Sequence, residues 1–177
     1  MSIYDIGGVV LCGAIGLGMW SPLEYAIHVA LHRMGGVLGD VHHQHHRDPR
    51  RVFTTPLVWG PASAALGAVA VALLGLSAGI AWTAGLLLGF FRYEVIHFRA
   101  HFRAPRSPAE ARRRAHHLAH HFRKPGAYFA VSDPIWDRVF RTRPADWRAD
   151  YARVAARAPL AGSSNLGTLV PRRRPRG

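Results

Sequence analysis

One cysteine, Cys12, is present among 177 residues, and it lies inside an apolar run. No intrachain disulfide can form, and thiolate metal sites, which need several cysteines, are excluded. Lysine is as scarce. Lys124 is the only one, so almost all of the formal net charge of +13 is carried by arginine. From Pro56 to Phe91 there is neither a charged residue nor a histidine. A nucleic-acid-binding protein spreads basic charge over a soluble surface. Here charge and hydrophobicity are segregated along the chain, which argues against nucleic acid as the partner. The N-terminus lacks the positive region of a cleavable signal peptide, and Asp5 precedes the first apolar run, so that run reads as a retained helix.

What the sequence has in quantity is hydrophobic residues, 49% of the chain. Ile6 to Leu23 is just long enough for a membrane helix, with Pro22 a kink before an amphipathic continuation to Met34. The uncharged run from Pro56 would be about 54 Å long as one helix, against a bilayer core of about 30 Å. It is therefore expected to be two helices, roughly Leu57 to Leu74 and Ile80 to His101, joined by a hairpin at Gly75 to Gly79. Small residues recur four apart on each span (Gly8, Cys12, Gly16; Gly60, Ala64, Ala68; Ala81, Gly85, Gly89), the pattern that lets membrane helices approach closely. Arginines follow the first and third spans and are missing from the hairpin, so both basic segments are expected on the cytoplasmic side of the cell inner membrane. Residues 1–144 read as the membrane-embedded domain. Ala145 to Gly177, with seven arginines and little apolar periodicity, reads as a disordered or membrane-surface tail.

All twelve histidines fall into four short clusters. His28 and His32 form H-x3-H, and His42, His45 and His46 form H-x2-H-H. His97 and His101 repeat the pair, and His117, His120 and His121 repeat the triplet. His43 and His116 flank the second and fourth clusters. Residues three and four apart on a helix share a face, so each cluster can point its imidazoles at one centre. All four lie at membrane-proximal positions on the same side. Ten converging imidazoles exceed what one metal ion uses, and two ions are the economical reading. Imidazole alone does not choose among iron, copper, zinc and nickel. A ligand set without carboxylates calls for nearby anions to offset charge and fix the ring tautomers. Glu24, four residues before His28, and Glu94, three before His97, are the candidates, with Asp40, His43 and His116 as further neighbours of the clusters. One or both of Glu24 and Glu94 are expected to accept a hydrogen bond from a ligand imidazole, the alternative being that they pair with nearby arginines.

These boxes resemble the fatty acid hydroxylase/sterol desaturase superfamily, and within it the fatty acid 2-hydroxylase branch. Tyr93-Glu94-Val95-Ile96-His97-Phe98-Arg99-Ala100-His101 looks like that branch's third box, and His117-Leu118-Ala119-His120-His121 like its fourth. Trp136-Asp137-Arg138-Val139-Phe140-Arg141-Thr142 is similar to the closing W-D-x-x-F-G-T segment, with Arg141 in place of the glycine. The bland reading of Trp136 and Phe140 is an amphipathic interfacial helix with a structural role. The resemblance implies an all-α integral membrane bundle of about three spanning helices, with a cytosolic helical cap carrying a histidine-rich di-metal site. It implies ten ligands: His28, His32, His42, His45, His46, His97, His101, His117, His120 and His121. They would hold two iron ions, or zinc in a purified form. It also implies molecular oxygen as co-substrate, a membrane lipid substrate whose alkyl chain is hydroxylated, and electrons from a separate ferredoxin or cytochrome b5-like protein with its reductase. A carotenoid ring hydroxylase or a sterol or lipid desaturase of the same superfamily, and a non-catalytic membrane metal-binding or transport module, are the rival expectations.

Overall fold

The two longest apolar stretches become the two longest helices of the computed structural model, which describes residues 3–50 and 56–157. In chain order the helices are α1 (Ile3–Arg33), α2 (Gly36–Arg47), α3 (Pro56–Leu74), α4 (Leu76–Phe102), α5 (Pro108–Phe122), α6 (Ile135–Val139) and α7 (Trp147–Arg157), with no strand among the described residues. Pro22 lies inside α1, which continues through it as one element. α1 and α4 are long and apolar enough to cross a bilayer; α3, the third expected span, offers a shorter apolar stretch, Gly60–Leu74. Large apolar side chains such as Val10, Leu11, Leu73, Leu76 and Phe91 face outward. Such a surface suits hydrocarbon rather than water.

The expected five-residue hairpin is tighter than its glycines suggested. Gly75 alone turns the chain, at φ 79°, and α4 begins at Leu76. A left-handed residue with no Cβ makes that one-residue corner possible. α3 then returns antiparallel along α4, with Gly67 opposite Thr83 and Gly79 against the backbone of Val71.

α1 and α4 run parallel and pack most extensively. A Cβ added to Gly16 would fall on the Trp82 carbonyl oxygen, one on Gly85 on the Gly13 carbonyl oxygen, and one on Gly89 on the Trp20 side chain. Only part of each small-residue stripe therefore matters, since Gly8 and Gly60 have nothing within 4 Å of such an atom. This close contact fixes the register of α1 on α4 and brings their C-terminal ends, with both histidine pairs, to one end of the bundle.

α2, α5, α6 and α7 gather at that end. α5 starts where Ser107 accepts a hydrogen bond from Glu110 N at 3.2 Å, with Pro108 in its first turn, a local stop-and-start signal of the usual kind. The expected tail from Ala145 needs correction. Residues 147–157 form α7, which packs on α5 through buried Val154 against Leu118, and through Trp147 and Tyr151 against Ala119, Ala127 and Tyr128. Three apolar positions at i, i+4 and i+7 suffice for one helical face, and the surrounding arginines obscure them. The remainder of that expected tail lies outside the described residues.

Two outcomes follow for thermal unfolding in detergent. Gly85→Ala should cost about 1–3 kcal/mol through overpacking against backbone that cannot move aside, whereas Gly8→Ala should not lower the midpoint. Arg141, at the C-terminal end of α6, adopts φ 58°. A non-glycine residue there costs roughly 1–2 kcal/mol, so Arg141→Gly should raise the midpoint.

Candidate metal centre

The ten expected histidines come together as two groups of five. His28, His32, His42, His46 and His120 form one, and His45, His97, His101, His117 and His121 the other; within each group the candidate donor atoms lie within 4.8 Å of one another. Each H-x2-H-H triplet is divided between the groups. On α2, His42 and His46 join the first group and His45 the second; on α5, His117 and His121 join the second and His120 the first. Residues four apart nearly eclipse, while the residue at i+3 sits well to one side of their mean direction. One helix turn thus serves two centres. The His46 and His121 rings stack at 4.1 Å between centroids and join the two groups.

The nitrogens face one another. In the first group His32 Nε2 is 2.9 Å from both His120 Nε2 and His42 Nε2, and His46 Nε2 is 3.1 Å from both His42 Nε2 and His120 Nε2. In the second, His45 and His97 Nε2 are 3.1 Å apart and His101 and His117 Nε2 2.8 Å apart. A neutral imidazole nitrogen offers either one proton or one lone pair, so a closed ring of four such contacts leaves lone pairs opposed. His120 Nδ1 donates to the Ala127 carbonyl at 2.6 Å and His28 Nδ1 to the Phe129 carbonyl. Those bonds place the ring protons on Nδ1 and leave Nε2 bare and directed inward. His28 Nε2 and both nitrogens of His121 are buried with no protein partner. Burial, followed by repulsion from His32, pushes His42 down to about 3. Burial likewise pushes His120 down to about 3, against the opposing pull of its bond to Ala127. These rings are neutral at physiological pH, the state that binds a metal. Two groups of five clustered imidazoles, with the ring protons of His28 and His120 turned outward to carbonyls, fit two divalent cations.

The expected neighbours fare differently. Glu24 is buried, but its carboxylate accepts from the backbone amides of Val131 at 3.1 Å and Ser132 at 2.9 Å rather than from an imidazole. That corrects the expected role: Glu24 clamps the 127–132 segment onto α1. Asp40 is exposed, since two residues before His42 is the far side of α2. His43 is half-buried beside His32, with ring centroids 6.0 Å apart, and belongs to neither group. Glu94 is half-buried and lines the cavity next to the histidines.

His116 is fully buried between Asp137 Oδ2, at 2.8 Å, and the Tyr151 hydroxyl. Asp137, also fully buried, accepts in addition from Phe129 N at 2.8 Å, Ala130 N at 2.7 Å and the Thr142 hydroxyl at 2.6 Å. It therefore anchors the peptide segment whose carbonyls orient His28 and His120. Sequence reasoning missed this role, treating the Trp136-Asp137 segment as an amphipathic helix. The one local signal was an acid, Asp137, set among the apolar residues Ile135, Trp136 and Val139, and it does not by itself name a partner. Tyr128, between the two orienting carbonyls, sits at φ 61° and is held there by its hydroxyl donating to Asp150 Oδ2 at 2.7 Å. Strained backbone held by buried side-chain bonds is characteristic of functional sites.

A family model described as Fatty acid hydroxylase matches residues 13–142. The macaque (Macaca fascicularis) fatty acid 2-hydroxylase is 33% identical over 72% of this chain and 38% of its own length. The Arabidopsis thaliana dihydroceramide fatty acyl 2-hydroxylase FAH2 is 27% identical over 81% of this chain and 64% of its own length. The chain thus spans less than two thirds of either relative. A solved structure titled full-length scs7p, with only the hydroxylase domain visible, superposes with a TM-score of 0.69 at 24% identity, covering 87% of this chain and 59% of that one.

Asp137→Asn replaces an acceptor-only group with one that must direct an N–H at a donor. We expect metal retention against a chelator to fall about 10–100-fold, measured by competition on purified protein. Unchanged retention would show that the carbonyl segment needs no such anchor.

Proposed function

The chain belongs to the fatty acid hydroxylase family, and on that premise we propose that it is a membrane-embedded, oxygen-dependent lipid hydroxylase carrying two iron ions, one in each group of five histidines. The observation that carries this reading is a cavity, open on one side, that touches both groups. His28 and His42 of one group and His45 and His97 of the other line it, together with Trp20, Ile27, Leu31, Leu38, Val41 and Phe90.

Bound iron in this family of sites would supply oxygen activation and the removal of hydrogen from an unactivated C–H bond. The chain's own residues do the rest. The apolar walls contributed by α1, α2 and α4 hold a methylene chain by burial, at about 0.8 kcal/mol per CH₂, and keep bulk water from the imidazoles. The four lining histidines present both groups to one stretch of that chain, so a bound alkyl segment meets the centre sideways. Glu24, Glu94 and Tyr93 add a polar side to the same wall, in which the Tyr93 hydroxyl is the group able to donate to the carbonyl end of an acyl group. The Ala127 and Phe129 carbonyls keep His120 and His28 in the tautomer that turns Nε2 inward. The basic segments after α1 and α4 favour a cytoplasmic position for this end of the bundle, within reach of a separate electron-donor protein.

The test is lipid analysis of cells expressing the chain with a ferredoxin or cytochrome b5 reductase system. Wild type should accumulate hydroxylated acyl chains, and a His120→Ala/His121→Ala double variant, which removes a ligand from each group, should show none at equal expression. Purified wild type should contain about two iron atoms per chain and the variant markedly less. Iron-loaded wild-type protein that leaves every acyl chain unaltered, or yields only unsaturated products, would overturn the hydroxylase reading.

A further inference from the structure

We infer that the concave pocket between the C-terminal end of α4 and α5 binds the phosphate headgroup of an anionic phospholipid, whose acyl chains run along the outward face of α4. The site is separate from the histidine centre. Arg99 and Arg103 each lie two residues beyond a histidine of α4, about 200° around the helix. The pocket is lined by Arg99, Arg103, Arg113 and Arg114, together with Ile96 and Ala100; Glu110 is the one carboxylate in its lining.

That carboxylate is already engaged. Glu110 accepts from Arg99 at 2.9 Å and from the backbone amide of Arg106 at 2.7 Å. Arg114 is half-buried and directs Nε to the Ala100 carbonyl at 3.1 Å, which pins its guanidinium at the pocket wall. Four guanidinium groups around one small concavity, with a single engaged carboxylate, leave strong positive potential directed at its mouth. Planar guanidinium forks match phosphate oxygens two at a time, and Arg is favoured over Lys where that geometry is needed.

A second observation identifies the source of the phosphate. Leu88, Phe91, Val95 and Phe98 are all exposed and recur at helical spacing, so they form one outward apolar ridge on α4. Val95 lies one turn before Arg99, and Arg103 lies over the Phe98 ring at 5.9 Å. The ridge therefore leads directly to the rim of the arginine pocket. A headgroup in the pocket continues into hydrocarbon along the ridge, as a bilayer phospholipid requires and a free phosphate does not.

Native mass spectrometry of the full chain in detergent tests this, with phosphatidylglycerol, phosphatidylcholine and inorganic phosphate titrated in separate arms. Wild type should retain one phosphatidylglycerol at concentrations where phosphatidylcholine is lost. Arg103→Gln/Arg113→Gln should weaken that adduct at least about ten-fold, on the basis of roughly five-fold per arginine at a membrane surface. Arg112→Gln/Arg138→Gln removes the same charge from exposed positions outside the pocket and should leave the adduct unchanged. If the pocket variant does not fold, Arg103→Gln alone, at an exposed position, carries the same comparison. Equal weakening by both double variants would reduce the effect to diffuse surface charge and overturn the site. Phosphate binding without a preference for phosphatidylglycerol would assign the pocket to a free phosphate instead, and equal retention of phosphatidylcholine and phosphatidylglycerol would show that the anionic headgroup is not recognised. Either result overturns the lipid proposal.

Discussion

Buried imidazoles whose bare nitrogens face one another are the constraint to which the rest of this structure answers. Lone pairs about 3 Å apart repel, and burial removes the water that would otherwise separate them. Seven of the ten rings are buried and three half-buried, and they cannot all satisfy each other by hydrogen bonds, because each nitrogen has one direction to give. A cation at the centre of each group turns the same arrangement from repulsive to attractive. The chain must therefore hold the rings in place before metal arrives, and much of its remaining architecture does that.

Two levels of support are visible. At the level of helices, Gly16, Gly85 and Gly89 allow α1 and α4 to meet backbone to backbone, so His28 and His97 reach a common end. One added methyl group in that contact would shift whole helices, and with them two of the four histidine clusters. At the level of side chains, Glu24 and Asp137 grip the backbone from Phe129 to Ser132 by its amides. The carbonyls of Ala127 and Phe129 face the other way, toward His120 and His28. Acids that never touch a candidate ligand of either group thereby set the tautomers of two of them. His116 completes the chain of contacts from Asp137 to α7 through Tyr151.

Much of this was legible in the amino-acid sequence because helical periodicity is local. The H-x3-H and H-x2-H-H spacings place their residues on shared faces without knowledge of the fold, and the uncharged run from Pro56 to Phe91 announces apolar helices. What stayed hidden depended on contacts between distant segments. Glu24 looked like a partner for His28 because the two share a helical face, yet its carboxylate meets amides more than a hundred residues later in the chain. Asp137 looked like one polar residue on an amphipathic turn, and nothing in its neighbours along the chain reveals four converging donors. α7 was obscured by composition, since arginines around Trp147, Tyr151 and Val154 mask a narrow apolar face. The division of each triplet between two centres is also invisible in spacing alone. It appears only when α2 and α5 are set facing each other across the ends of α1 and α4.

The apolar character of the chain and its chemistry are two consequences of one property. Removing an imidazole from water favours its neutral form, and holding the fully buried His120 at about 3 corresponds to several kcal/mol in favour of the uncharged ring. A protonated ring cannot be a ligand, so burial prepares the site at physiological pH without any carboxylate inside it. The same burial exposes unpaired nitrogens to a medium that cannot solvate them, a cost that only the inward-facing geometry and a bound cation offset. An exposed cluster of the same ten histidines would avoid that cost but would compete with protons and water for every metal. The sequence departs from polar composition around its most polar residues for this reason. Trp20, Ile27, Leu31 and Phe90 line the cavity beside the histidines, so the surface that keeps the rings neutral is also the surface that, on the proposed function, would receive an alkyl chain.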